Sequence, residues 1–283
     1  MTSSVFADVF ETFFDDAAVF PPGNMPMPQA VTDHGSHHRT WYAPTLGPFV
    51  CPAERLNELR TVWDGRRPLP LSLLLPGPAG LTALLQQAER ISASPLKAVE
   101  VALPVGMPLA EALRMLDDQL PEDVPCYLEV PRGAQQDSVL DTLAATRYRA
   151  KFRTGGTEPE AHPDEWELAQ AILSAVRRGV PFKCTAGLHH AVRHTDGVLE
   201  QHGFLNVLLA TAAAADGADR GDVAAVLAQR SSQEVTRQIR SVDPRRLMVA
   251  RACFVSFGTC SIFDPITDLV ALNLMHPLEE KNR

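Results

Sequence analysis

The chain has 283 residues, 45% hydrophobic and 21% charged, enough to bury a sizeable core in one α/β barrel or two ordinary domains. A formal net charge of −8 excludes a general nucleic-acid binder, because no basic stripe is available to neutralise phosphates. No apolar run is long enough to span a bilayer, and residues 1–20 lack the basic-then-apolar layout of a signal peptide. Cysteines at 51, 126, 184, 253 and 260 form no CxxC pair and no even framework, so the expectation is a cytoplasmic protein with reduced thiols.

A first amphipathic helix is predicted up to Phe14, followed by a short strand over Asp16–Phe20 that Pro21, Pro22 and Gly23 end. Gln29–Trp41 can form a helix despite Gly35. Four apolar runs follow, separated by helical stretches: Gly47–Cys51, Leu71–Leu75, Ala98–Leu103 and Cys126–Val130. Next comes Y-R-A-K-F-R-T-G-G, with Lys151 at its centre, and later V-P-F-K-C-T-A-G-L-H-H, with Lys183 in the equivalent place. Between them, residues 163–178 carry Trp166, Ala169, Ile172, Leu173 and Val176 at helical spacing. That is a βαβ unit in which both lysines fall where a strand becomes a glycine-bearing loop.

An eighth strand, Cys253–Phe257, enters the turn G-T-C-S, after which Asp264 is predicted to cap a last helix with Pro265 at its first position. The connection before it is long and mostly helical, with alanine-rich Leu205–Ala215 and a charged helix near Asp222–Arg240. Strands alternating with helices, without a second compositional regime, predict a single (β/α)₈ TIM barrel over residues 1–283. Residues 189–250 read as a helical insertion within it, placed as a cap over the mouth.

Strand alternation sorts the polar positions by face. If Val99, Val101 and Leu103 pack on helices, Glu100 turns inward; the same argument turns Tyr127 and Glu129 inward, then Arg149, Lys151 and Arg153, then Lys183 and Thr185. Neighbouring strands thus aim Glu100, Glu129, Lys151 and Lys183 at one interior. Buried ion pairs that merely hold the barrel would give the same pattern, but charges in an interior are costly outside a paired or wet site. Two lysines and two carboxylates near strand C-terminal ends favour an active site.

These residues resemble a family. K-F-R-T-G (151–155) is similar to the K-x-S-T-G stretch around the Schiff-base lysine of deoxyribose-phosphate aldolases, and K-C-T-A-G-L (183–188) to that family's next-strand K-x-x-G-G-[IV]. V-E-V-A-L-P (99–104), Y-L-E-V (127–130), F-V-C-P (49–52), F-G-T-C-S-I (257–262) and D-D-A-A-V-F-P (15–21) follow the family's order over nearly the whole chain. The resemblance implies a lyase of class I aldolase type, a divergent member of that superfamily. Lys151 would be the nucleophile, and Lys183 the second lysine, whose like charge favours the neutral amine of its neighbour. Glu100 would stand where the family has the aspartate of its proton relay, and Asp16, or Asp15, would contact the second lysine. Thr154, Gly155, Gly187, Gly258 and Ser261 would line an anion site with backbone amides at helix N-termini. No metal or organic cofactor is implied, because the protonated imine is the electron sink.

The chain departs from the pattern at Glu100, at Arg153 (a serine position in the family), at Ala186 and Cys260, and at His189 and His190. Arg153 suits bidentate binding of a carboxylate or phosphate, and His189 or His190 could protonate a leaving oxygen or bind the anion. With inward Glu129 they make a small anionic carbonyl compound the expected substrate; self-association is left open. His34, His37 and His38 read as a polar helix face. Two alternatives stand: a metal-dependent hydrolase or isomerase on the same barrel using the histidines, and a non-catalytic anion-binding barrel.

Overall fold

The computed structural model describes residues 3–63, 65, 67–93 and 96–277. In chain order the elements are α1 (Ser3–Val9), β1 (Phe14–Asp16), α2 (Met27–His37), β2 (Leu46–Pro52), α3 (Leu56–Val62), β3 (Leu71–Leu75), α4 (Leu81–Ser92) and β4 (Ala98–Val101). They continue with α5 (Leu109–Gln119), β5 (Cys126–Glu129), α6 (Gln136–Ala144), β6 (Arg149–Arg153), α7 (Glu165–Arg177) and β7 (Phe182–Thr185). A hairpin, β8 (His194–Asp196) and β9 (Leu199–Gln201), precedes α8 (Phe204–Ala215), α9 (Arg220–Ala228), α10 (Ser232–Ser241) and α11 (Pro244–Cys253). The chain closes with β10 (Phe254–Thr259) and α12 (Phe263–Ala271).

Parallel pairing in the order β1-β10-β7-β6-β5-β4-β3-β2 closes an eight-stranded barrel. Strands alternate with helices around it, so the fold is a (β/α)₈ TIM barrel. Among the described residues no helix is long and apolar enough to cross a membrane.

Helix α7 shows how the local sequence sets an element. The Asp164 carboxylate accepts the Glu167 backbone N–H at 2.8 Å, and the Glu167 side chain returns to the Asp164 N–H at 3.1 Å. This capping box satisfies two N–H groups that helix geometry leaves open. Leu168, Ala169, Ile172 and Leu173 then bury on one face. Trp166, expected with them, is instead half-exposed, with the Arg220 guanidinium 5.6 Å from its ring centroid.

Helix α8 is apolar on nearly every face and buried throughout its first nine residues, as a helix enclosed by other elements must be. It packs against α7, α9, α11 and β10. Its start demands glycine: a Cβ on Gly203 would meet the Ala191 carbonyl oxygen and Val192 Cα, both at 2.4 Å. Helices α8–α11 are therefore applied to the outside of the barrel between β7 and β10. Among the described residues, none from 190–250 lies on the wall of the cavity at the mouth.

Other boundaries move for identifiable reasons. The first strand is Phe14–Asp16, not Asp16–Phe20, because Phe13 and Phe14 join a buried aromatic cluster with Phe254, Phe257 and Phe204. Residues 17–20 then form a turn, closed by the Phe20 N–H donating to the Ala17 carbonyl at 2.9 Å. The expected charged helix over 222–240 is two helices, because Ser231 starts a new one by accepting the Glu234 N–H at 3.3 Å. Helix α12 begins at Phe263, so Asp264 lies in its first turn and Pro265 after it; Asp264 is not the cap.

Candidate active site

A cavity of ≈ 380 Å³ opens at the C-terminal ends of the barrel strands, where parallel α/β barrels place their loops and chemistry. Its wall includes Glu100, Glu129, Lys151, Arg153, Lys183, His189 and Gly258. The predicted inward set has converged because β4, β5, β6 and β7 are consecutive in the sheet and these residues share its inner face, with Glu100 one inward step lower, paired with Tyr127. Glu129 is the Cα partner of Lys151, and Lys151 of Lys183.

The centre of the cluster is Lys183, 1% exposed, whose Nζ donates to Glu100 Oε1 at 2.5 Å and to Asp15 Oδ2 at 2.6 Å. Tyr127 adds its ring, with the Lys183 ammonium 5.4 Å from the centroid. Serines brace both carboxylates: Ser72 Oγ donates to Glu100 at 3.2 Å, and Ser256 Oγ to Asp15 at 2.8 Å. Burial alone would pull the Lys183 ammonium down, but the charges of Asp15 and Glu100 outweigh it and the net shift is upward. Glu100 feels the same contest: burial raises it, and Lys183 and Lys151 together bring it below its ordinary value. For Asp15 burial wins, and its carboxyl is raised despite Lys183. Lys183 is thus held as a cation at neutral pH, and Asp15 is the carboxyl of the pair that more readily keeps a proton.

Lys151 is held less tightly. Its Nζ lies 3.1 Å from Glu129 Oε2 and 3.7 Å from Glu100 Oε2, and the Glu129 side chain is 30% exposed. The ammonium therefore faces the cavity with one solvent-accessible proton acceptor beside it.

The remaining predicted residues separate. Of the two aspartates offered as partner of the second lysine, Asp15 makes the contact. Asp16 instead accepts from the Ala18 N–H at 3.1 Å and pairs with His34 Nδ1 at 2.9 Å, because successive strand residues face opposite sides. Thr154 is buried and ties β6 to β7, its hydroxyl donating to the Ala186 carbonyl at 2.6 Å. Gly155 and Gly187 stand back to back: a Cβ on Gly155 would come within 2.9 Å of Gly187 Cα. Their lack of side chains lets two strand-end loops touch, and neither lines the cavity. His190 turns to α12, its Nδ1 3.1 Å from Asp268 Oδ2; that hydrogen bond raises its pKa. Ser261 folds onto its neighbour, its carbonyl accepting from Thr259 Oγ1 at 3.0 Å.

Arg153 keeps its place on the cavity wall, its Nε donating to the Gly155 carbonyl at 3.1 Å. His189 Nδ1 lies 3.3 Å from Thr259 Oγ1, and burial lowers its pKa, so the ring is neutral. Cys51 and Cys184 are packing residues: burial pushes the Cys51 thiol up to about 12 and raises Cys184 as well. The first histidine segment is not a solvated face, since His34 and His37 are buried. Ser72, Ser256 and Glu54 are among the wall and bracing residues that the sequence pattern did not single out. The two serines were visible as the lone polar residues of L-S-L-L-L and C-F-V-S-F.

No protein-family model matches the chain, and no curated protein matches it in sequence. Among solved structures it is similar to an archaeal fructose-1,6-bisphosphate aldolase with its catalytic lysine covalently bound to the carbinolamine intermediate of the substrate. That match has 12% identity and a TM-score of 0.44, covering 96% of this chain and 93% of the other. The catalytic domain of a hyperthermophilic chitinase from Pyrococcus furiosus matches at 10% identity and a TM-score of 0.39, over 71% of this chain and 79% of that one. Neither likeness is close enough to assign an activity.

Proposed function

We propose that the protein is a metal-independent lyase of class I aldolase type, with Lys151 as its Schiff-base nucleophile and a small anionic aldehyde or ketone as substrate. The observation that carries this reading is the inequality of the two lysines. Lys183 is clamped between Asp15 and Glu100 at 2.6 and 2.5 Å, whereas Lys151 rests against a partly exposed Glu129 at 3.1 Å. An amine must shed a proton before it attacks a carbonyl, and Glu129 is positioned to take it.

In this reading the Lys151 amine adds to the carbonyl carbon, forming a C–N bond as the carbonyl oxygen gains a proton. Glu129 returns the proton it took from the ammonium to that hydroxyl, which leaves as water and gives an iminium. Cleavage of the adjacent C–C bond then sends its electron pair into the iminium as an enamine, while the departing fragment's hydroxyl proton passes to a base. Glu100 and Glu129 are the bases within reach of Lys151, and Asp15 supports the relay through Lys183. Lys183 remains a fixed positive charge that the developing anionic oxygen can meet without reorganisation. Arg153 supplies bidentate anion recognition on the wall, and His189 a neutral imidazole. We further propose that residues 1–283 work as one barrel domain, with 189–250 as its helical insertion.

Borohydride reduction in the presence of small phosphorylated or carboxylated aldehydes tests the assignment. A stable mass increase on the peptide carrying Lys151, lost in Lys151→Met, is the expected result. An adduct confined to Lys183, or none with any carbonyl compound, would falsify it.

A further inference from the structure

A second polar cluster lies outside this cavity and takes no part in the proposed chemistry. His34, on α2, and His38, just past its end, stand four residues apart, with their Nε2 atoms 3.1 Å from each other. The other ring nitrogen of His34 is fixed by Asp16, whose Oδ2 is 2.9 Å from Nδ1, and both side chains are almost fully buried. The two rings line a cavity of ≈ 470 Å³ between α2 and the segment leading into β3, together with Thr32, Arg39, Trp63 and Arg67.

We propose that His34 and His38 form a binding site for a divalent late transition-metal ion such as Zn²⁺, Ni²⁺ or Cu²⁺, with Asp16 fixing His34 as a ligand. Four-residue spacing on a helix is the spacing that brings two imidazoles to one metal. Two nitrogens bound to zinc at tetrahedral angles lie about 3.3 Å apart, close to the 3.1 Å seen between these atoms. A carboxylate on the far nitrogen of a ligating histidine fixes its tautomer and raises its basicity, and Asp16 occupies that position.

The protons balance without an outside reactant. His34 keeps Nδ1–H on Asp16 and presents its Nε2 lone pair. His38 presents its own by carrying its proton on Nδ1, exchanged through water, and the ion displaces the hydrogen bond between the rings. Among the described residues no group of three His, Cys, Asp or Glu could ligate one ion here, so the remaining coordination positions go to water or to an anion. Arg39 and Arg67 on the cavity wall favour the anion.

Calorimetric titration of the chelator-treated full-length protein with Zn²⁺ tests the proposal, with circular dichroism confirming that each variant is folded. One equivalent should bind, weakened about 10- to 100-fold in Asp16→Asn, the range that loss of a supporting carboxylate produces, and weakened further in His38→Ala, which removes a ligand outright. A His190→Ala/His194→Ala variant, which alters the other neighbouring histidine pair, should bind as the wild type does. The Cu²⁺ complex should show ligation by two imidazole nitrogens spectroscopically, and His38→Ala should lose one of them. Absence of a stoichiometric site, unchanged binding in His38→Ala, or loss of binding in the His190/His194 variant would each overturn the proposal.

Discussion

Lys151 and Lys183 are Cα partners across the β6–β7 ladder, and both reach the same carboxylate: Glu100 is 3.7 Å from Lys151 Nζ and 2.5 Å from Lys183 Nζ. One lysine is locked in a buried ionic core and the other has a partly exposed acceptor beside it. The proposed division of labour between nucleophile and fixed charge rests on that geometry.

Replacing Glu129 by Gln should therefore slow covalent capture at Lys151 more than it weakens substrate binding. Glutamine keeps the shape but cannot accept the ammonium proton, and loss of a positioned general base costs roughly 10²-fold or more. Single-turnover trapping at saturating carbonyl compound reads the rate directly. An unchanged rate would assign proton removal elsewhere, with Glu100 next in line.

Lys183→Met should be severely destabilising. It leaves Asp15 and Glu100 buried around a missing cation, and removing one partner of a buried ion pair costs about 3–5 kcal/mol. Adding Asp15→Asn and Glu100→Gln to the same chain should recover part of that loss, because the carboxylates no longer repel. Urea unfolding of the single and triple variants measures both effects. Equal midpoints for the wild type and Lys183→Met would show that the ionic core contributes no stability.

The barrel was legible because its strands are short apolar runs with isolated polar residues, and period-two alternation fixed which of those residues face inward. Glu100, Glu129, Lys151 and Lys183 converge for that reason. Alternation fails where the strand's limits are misjudged. Placing the first strand at Asp16–Phe20 left Asp15 and Asp16 undecided, whereas the Phe13–Phe14 anchor sets Asp15 inward and Asp16 toward α2. Loop residues such as His190 and Ser261 have no periodicity to orient them, and their partners, Asp268 and Thr259, are set by tertiary packing. The helical character of 189–250 was legible from sequence, but the break at Ser231 and the hairpin before α8 were not, and the position of these helices beside α7 depends on contacts such as Gly203 against Ala191 and Val192.

Gly203→Ala should separate α8 from the preceding loop. The added carbon would sit 2.4 Å from two backbone atoms, neither of which can move without shifting its chain segment. Overpacking of this kind costs about 1–3 kcal/mol or more. Gly217→Ala, at a positive φ of 89° but with open space around its Cβ position, should cost only about 1 kcal/mol through backbone strain. Denaturant midpoints for the two variants compare them, and a larger loss at Gly217 would refute the steric account.

His202 should make the fold sensitive to acid. It is fully buried, its Nε2–H donates to the Pro163 carbonyl at 2.9 Å, and its Nδ1 accepts from Arg193 at 3.1 Å, so both nitrogens are satisfied only in the neutral ring. Burial lowers its pKa from 6.5 to about 4. Between those values the unfolded chain carries a proton on His202 that the folded chain does not, so unfolding takes up a proton there. Stability from this group is complete above pH 6.5, falls as the pH drops toward 4, and is then constant. The shift corresponds to about 3 kcal/mol. His202→Gln has no such proton to take up. Its unfolding free energy should fall less steeply than that of the wild type between pH 6.5 and 4, as urea titrations at both ends would show. Parallel slopes would place the acid sensitivity in another buried histidine.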